Sequence, residues 1–320
     1  MNIVVIGAGI TGITCARGLV QQGHSVVVVD KGRSPGGRMA TRRDGDATFD
    51  HGAQFFTVRH DTFRLQVQDW LTRGLVHEWF RSEPIDGDES TSHPRFVATA
   101  GMNTLVKDLA SDLDVRCSVT VSSVVPNGTG WTLHTLESGS LDCDAVVVTS
   151  PIPQTLQLLS DSNVVIPEQV QQCVYDPTVV LLVVLDKKSS ALPKHGCIQN
   201  PDDIFSFIAD NESKKVSRVP ALTFHANARW SSQHFEESDE LLQEQLLSAA
   251  RNWCGDAQIL SSQVKKWRYA TPHSAWPNEF WINDESTLVL AGDAFHANST
   301  QHAKIESAYL SGYAVVTALT

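Results

Sequence analysis

Residues 2–6, NIVVI, form a short and almost unbroken apolar run, the pattern of a strand buried on both faces of a parallel sheet. The run stops at Gly7-Ala8-Gly9-Ile10-Thr11-Gly12. An amphipathic stretch over 13–22 then predicts a helix, with Gly23 where a helix C-terminus favours glycine. HSVVVVD, residues 24–30, repeats the buried-strand pattern and ends on Asp30.

The pattern continues unevenly. Phe63, Leu65, Val67, Trp70 and Leu71 have helical spacing across 61–75, which ends at Gly74, and 102–113 is again helix-like. Residues 81–95 are polar and punctuated by Pro and Gly, so they read as an exposed loop. Alternation around Asn127-Gly128 predicts a hairpin over 115–136. DAVVVTS (144–150) is another buried strand, stopped by Pro151 and Pro153 before a further helix. Strand patterns at 178–185, 221–227 and 263–270, with one amphipathic helix over 238–253, predict a largely antiparallel sheet. The chain closes with a strand over 287–290, Gly292-Asp293, and a helix over 304–319. The expected class is α/β. A Rossmann-type domain is assembled from the discontinuous segments 1–60, 95–155 and 285–320, and 61–94 with 156–284 form a substrate domain.

Composition narrows the partners. With 320 residues, 42% hydrophobic and 19% charged, the chain has an ordinary globular make-up. A formal charge of −11 with no dense run of Lys or Arg argues against nucleic acid. Cys15, Cys117, Cys143, Cys173, Cys197 and Cys254 are scattered without a CxxC pair and read as reduced thiols, so a cytoplasmic location is expected. The histidines form neither HExxH nor a Cys/His cluster, so no metal is expected. No secretion signal is expected either, because no basic region or cleavage site marks the start. No apolar run approaches the roughly 18 residues of a membrane span.

The glycine turn has a specific chemistry. Gly7 permits a tight turn, Gly9 leaves room for a pyrophosphate, and Gly12 lets helix and strand pack closely. The helix N-terminus adds free N–H groups and partial positive charge, and Asp30 can accept from a ribose diol. Bracketed by strand, helix, strand and acid, GxGxxG predicts an adenine dinucleotide. A second glycine turn beside Arg38, within KGRSPGGRMATRR (31–43), suggests contacts along a longer cofactor. The alternative for that segment is a basic solvent loop.

Gly7-x-Gly9-x-x-Gly12, Asp30, PGGRMAT (35–41) and DHGAQFF (50–56) together resemble the renalase branch of the FAD-dependent amine oxidase superfamily. GMNTL (101–105), DAVVVTSPIPQ (144–154), YDPT (175–178), RWSSQ (229–233), KWRYATP (266–272), VLAGDAF (289–295) and ESAYLSG (306–312) follow in order, so the resemblance covers essentially the whole chain. Many flavoproteins share the first motifs; GAQFF and W-x-Y-A-x-P point to the branch. The resemblance implies FAD, expected to be non-covalent because no cysteine follows Cys254, held by Gly7, Ala8, Gly9, Ile10, Thr11, Gly12, Asp30, Lys31, Gly37, Arg38, Met39, Thr149, Gly292, Asp293 and Ile305. The Val121 backbone would lie against the adenine, and Gly52, Ala53, Gln54 and Phe55 would pass the isoalloxazine ring. Asp293 would bond the ribityl chain, or cap a helix.

The resemblance further implies an oxidase acting on dihydro isomers of NAD(P)H, giving NAD(P)+ and, from O2, hydrogen peroxide. Gln54, His225 and Tyr269 are the catalytic candidates, and Tyr175, Trp230 and Trp267 the pocket candidates. Core packing is the alternative for His225, both tryptophans, Phe55 and Phe56. An amine oxidase, a desaturase and a flavin-binding sensor without turnover are the competing functions. Two departures from the family pattern stand out: Ser307 replaces the usual glycine, and 296–303 is a longer connection than usual.

Overall fold

A computed structural model describes residues 1–82, 92–137, 139–273, 276–285, 287–296 and 305–319. The expected 81–95 loop and the 296–303 connection lie largely outside these residues.

The apolar runs become the middle of a six-stranded sheet. Its order is Phe280–Ile282, Leu288–Ala291, Ala145–Val148, Asn2–Ile6, Ser25–Asp30, Asp114–Cys117. All neighbours are parallel except the edge strand Phe280–Ile282. Ile3, Val5 and Val28 face one core, while Val4, Ile6 and Val29 face another, so each strand is covered on both sides. Each such side chain contributes about 1.5–3 kcal/mol through burial, and this is why the runs do not alternate.

The helix Ile10–Gln21 follows the glycine turn and is packed against the C-terminal helix Ile305–Ala318. The two approach at backbone distance. A methyl group on Gly312 would collide with the Thr11 carbonyl, and one on Gly18 with Val316. Thr11 Oγ1 also donates to the Ala308 carbonyl at 2.8 Å.

The second sheet is antiparallel throughout, in the order Cys197–Gln199, Phe205–Asp210, Ala221–Ala226, Tyr175–Leu185, Ile259–Pro272. Val179, Leu181 and Val183 pack against Leu242, Leu246 and Ala250 of the helix Asp239–Cys254. Ser238 caps that helix by accepting from Leu241 N. Val180 and Leu182 point the other way, onto Ala47 and Phe49 of the strand Ala47–Asp50. This second face meets the first fifty residues and carries the site.

Two segments differ from the pattern-based grouping. The helix Asp61–Thr72 buries Phe63, Val67 and Trp70 in the core of the parallel sheet, beside Tyr309. Strand Phe280–Ile282 likewise extends that sheet. An amphipathic pattern in sequence says nothing about where an apolar face finds its partner, so grouping 61–94 and 156–284 as one substrate domain misses both contacts. Among the described residues, no helix is long and apolar enough to cross a membrane.

Candidate active site

Gly9 is the N-cap of the first helix, with no side-chain cap and no acid in the first turn, so its leading N–H groups are available to an anion. A Cβ built on Gly9 meets nothing within 4 Å, whereas one on Gly12 would collide with the Gly7 carbonyl and crowd Val5. The two glycines therefore do different work: Gly12 is required by the protein's own packing, and Gly9 keeps open a space that the protein leaves unfilled. Asp30 accepts from Ala8 N and Gly32 N, each at 2.6 Å, and so ties the turn to the second strand. A carboxylate has further lone pairs, so it can still receive a ribose hydroxyl. Thr149 Oγ1 donates to the Ile6 carbonyl at 2.9 Å, and Val121 is buried at the start of its strand.

The second glycine turn folds back onto the first. Gly36 N donates to the Ala8 carbonyl at 2.9 Å, and Gly37 begins a short 3₁₀ turn ending at the buried Met39. Lys31 is exposed. The turn aims Arg38 at Asp293 in a bidentate pair, with both contacts at 2.6 Å. Arg38 also donates to the Ala270 carbonyl at 3.2 Å and lies 5.9 Å from the Tyr175 ring centre. Tyr175 packs edge-on against Tyr269 at 5.8 Å, and burial followed by the Asp293 charge pushes its phenol pKa up. Behind Asp293, Gly292 N donates to Ser311 Oγ, which in turn donates to the Glu279 carbonyl. Ile305 opens the last helix, where Glu306 accepts from Arg59 N and His60 N at 2.8 Å each.

The DHGAQFF stretch forms the seam between the two sheets. Ala53 N donates to the Arg38 carbonyl at 2.9 Å, and a side chain at Gly52 would strike that same carbonyl. Gln54 is buried. Its Nε2 lies 2.6 Å from the Asp50 carbonyl, 3.1 Å from that of Gly52 and 3.3 Å from His225 Nε2. Its Oε1 receives Lys214 Nζ at 3.4 Å. Two carbonyls on one side and an ammonium on the other leave the amide a single sensible orientation. Gln54 thus bridges two backbone carbonyls, the Lys214 ammonium and the His225 ring at the seam.

His225 Nε2 lies within hydrogen-bond reach of the Gln54 amide nitrogen, and the ring also has a hydrogen bond to the His51 backbone. Burial, with the nearby His51 and Lys214, pushes its pKa down to about 3. Burial and Lys265 likewise bring His51 down to about 4. His51 stacks on Trp267 at 5.3 Å, and the Trp267 indole donates to the His51 carbonyl at 2.8 Å. Among the described residues, His51 Nδ1 is buried without a hydrogen-bond partner.

The structure thus gathers the expected residues into two adjoining groups: Arg38, Asp293, Tyr175 and Tyr269 in one, Gln54, His225 and Trp267 in the other. Trp230 joins neither. It packs in the core on the helix face of the antiparallel sheet and stacks on His234 at 4.4 Å. Asn227 starts a helix there by accepting from Trp230 N, which turns the side chain to that face. Lys214 lies outside every motif, and Asp50 and His51, though within DHGAQFF, carry no expected role of their own. A lysine before a strand in a polar stretch reads as solvent-exposed; no local pattern shows that this one is buried 164 residues away from its carboxylate.

An open cradle at an uncapped helix N-terminus, a second glycine turn carrying an arginine, and an orphaned buried imidazole nitrogen at the domain seam suit FAD. They define a flavin-dependent oxidoreductase on a Rossmann-type frame. The chain belongs to the flavin-containing amine oxidoreductase family, whose model matches residues 80–320; that of an NAD(P)-binding Rossmann-like domain matches residues 5–68. A 4,4'-diapophytoene desaturase of Staphylococcus aureus is 44% identical over 52 residues, which is 16% of this chain and only 10% of that protein. A candidate protoporphyrinogen oxidase from Exiguobacterium sp. 255-15 superposes with a TM-score of 0.75 at 13% identity, over 99% of this chain and 98% of its own. A putrescine oxidase bound to putrescine gives 0.70 at 13%, over 99% and 98%. At such identities the structural likeness concerns the fold.

Proposed function

We propose that the protein is an FAD-dependent oxidase of renalase type, which takes a hydride from dihydro isomers of NAD(P)H and passes the electrons to O2. Bound FAD would supply a hydride acceptor in its ring and, once reduced, a donor of two electrons to dioxygen. The sum is one dihydropyridine, one O2 and one proton giving one pyridinium and one H2O2.

The observation that carries the reading is the state of the two histidines at the seam. Burial holds the His225 pKa down to about 3 and that of His51 down to about 4, so neither accepts a proton from a substrate at neutral pH. A dihydropyridine needs no base, because hydride loss itself creates an aromatic cation. Gln54 and Trp267 hold the imidazoles in place, and Arg38 with Asp293 would hold the phosphate and ribityl portions of the cofactor.

Amine oxidation is the second reading, and the Tyr175–Tyr269 pair favours it, since two aromatic rings can flank a neutral amine. Against it, the Arg38 guanidinium already faces the Tyr175 ring. The test is anaerobic mixing of the yellow holoenzyme with each substrate class. Bleaching within seconds by 2- or 6-dihydro isomers of NAD(P)H, with none by putrescine or benzylamine, is expected. The reverse result assigns the protein to amine oxidation.

A further inference from the structure

A cavity of about 320 Å³ opens between Phe55, Phe80, Phe207, Arg95 and His195. Its position follows from strand register. Gln199, Phe207, His225 and Val180 form one cross-strand row. Residues paired across strands share a face, so the cavity lies on the same sheet face as His225, one strand nearer the edge. Phe55, one residue past Gln54, forms the opposite wall, 5.8 Å from the Phe207 ring.

Its lining has two characters. The walls are aromatic: Phe55 meets Phe80 edge-on at 6.3 Å, and Phe80 stacks on His195 at 4.8 Å. The charge is cationic. The Arg95 guanidinium lies 5.3 Å from the Phe55 ring centre, donates to the His93 carbonyl at 3.2 Å, and has no acid beside it among the residues lining the cavity. Half-buried and with Arg59 near, its charged form is disfavoured relative to a guanidinium in water. An anion entering the cavity would relieve both penalties, and the planar fork of a guanidinium matches carboxylate and phosphate oxygens. An ammonium would worsen them.

We propose that this cavity binds a planar ring bearing an anionic group, with Arg95 as the counter-ion, and that it selects against cationic amines. The inference deepens the oxidase reading and rests on it.

Three probes with one ring and different head groups test it: benzoate, phenyl phosphate and benzylamine. Each is titrated into oxidised holoenzyme and followed by perturbation of the visible flavin spectrum and by calorimetry. Both anions bind and benzylamine does not. Arg95→Met weakens the anions at least tenfold with flavin content unchanged, and Arg95→Lys recovers part of the loss. Phenyl phosphate alone responding to Arg95→Met identifies the anion as a phosphate; benzoate alone identifies a carboxylate. Anion affinities within twofold of wild type in Arg95→Met, or benzylamine binding as well as benzoate, overturn the proposal. The oxidase reading is tested separately. Arg95-dependent anion binding in an enzyme that no dihydropyridine reduces keeps the cavity and removes the reading, whereas rapid reduction with a KM indifferent to Arg95→Met does the opposite.

Discussion

Lys214 and Asp50 meet at 2.9 Å with neither side chain exposing any surface to solvent. The pair bridges the seam: Asp50 ends a strand of the first fifty residues, and Lys214 follows a strand of the antiparallel sheet. Asp50 is fully satisfied, since Oδ1 also accepts from Thr41 Oγ1 and Met102 N at 2.8 Å each. Removing the ammonium strands a buried carboxylate. Lys214→Met is expected to lower stability by about 3–5 kcal/mol, and combining it with Asp50→Asn to restore a large part. Urea unfolding of both single variants and the double variant measures the coupling; simple additivity would show that the two groups do not depend on each other.

Acid sensitivity should trace to His225. Its folded pKa is depressed to about 3, below the unfolded value near 6.5, so the unfolded chain binds the proton first. Stability from keeping it neutral is complete above pH 6.5 and is lost as pH falls, by about 1.4 kcal/mol per pH unit, until the folded form also protonates near 3. His51 adds a parallel loss ending near pH 4. Urea midpoints at pH 7, 6 and 5 should fall steeply in the wild type and less steeply in His225→Gln. Equal slopes would contradict the assignment.

Gly9→Ala and Gly12→Ala should separate folding from cofactor binding. Gly9 has an ordinary extended φ of −78° and open space at its missing Cβ, so alanine there should change apoprotein stability by less than about 1 kcal/mol while cutting flavin retention at least tenfold. Gly12→Ala, aimed at the Gly7 carbonyl, should lower both. Flavin absorbance after desalting and apoprotein melting temperature decide between these outcomes.

The two tryptophans should diverge. Trp230→Phe leaves the flavin-reduction rate within about twofold of wild type, since the ring packs on the helix side of the sheet. Trp267→Phe removes a hydrogen bond to the His51 carbonyl worth about 1 kcal/mol and frees the imidazole stack, and should slow reduction by an order of magnitude or more. Stopped-flow reduction of the two variants reads the difference.

Sequence was most informative where chemistry and local structure share residues. The glycine turn, its flanking strands and the capped helix at Ser238 are all short-range, so periodicity and turn residues specify them directly. GAQFF, expected to pass the flavin ring, lies at the seam between the sheets, yet no motif shows the side chains that complete the seam. Lys214 and Asp50 are far apart in the chain, and a buried ion pair has no periodic pattern. Trp230 and Trp267 look alike in sequence; only register and a helix start put them on opposite faces. The membership of 61–72 in the core of the parallel sheet was likewise illegible, because an amphipathic helix announces an apolar face and not its destination.

The contact between the helices Ile10–Gln21 and Ile305–Ala318 has a consequence for timing. Thr11 and Ala308 are 297 positions apart, so the cradle's outer wall is laid down only once residues 305–318 have emerged from the ribosome. A nascent protein can pair Asn2–Ile6 with Ser25–Asp30 early but cannot finish the flavin pocket, and contacts over such a sequence distance form slowly. Capture of the cofactor should therefore wait for that helix, and chains cut short before residue 305 should accumulate colourless.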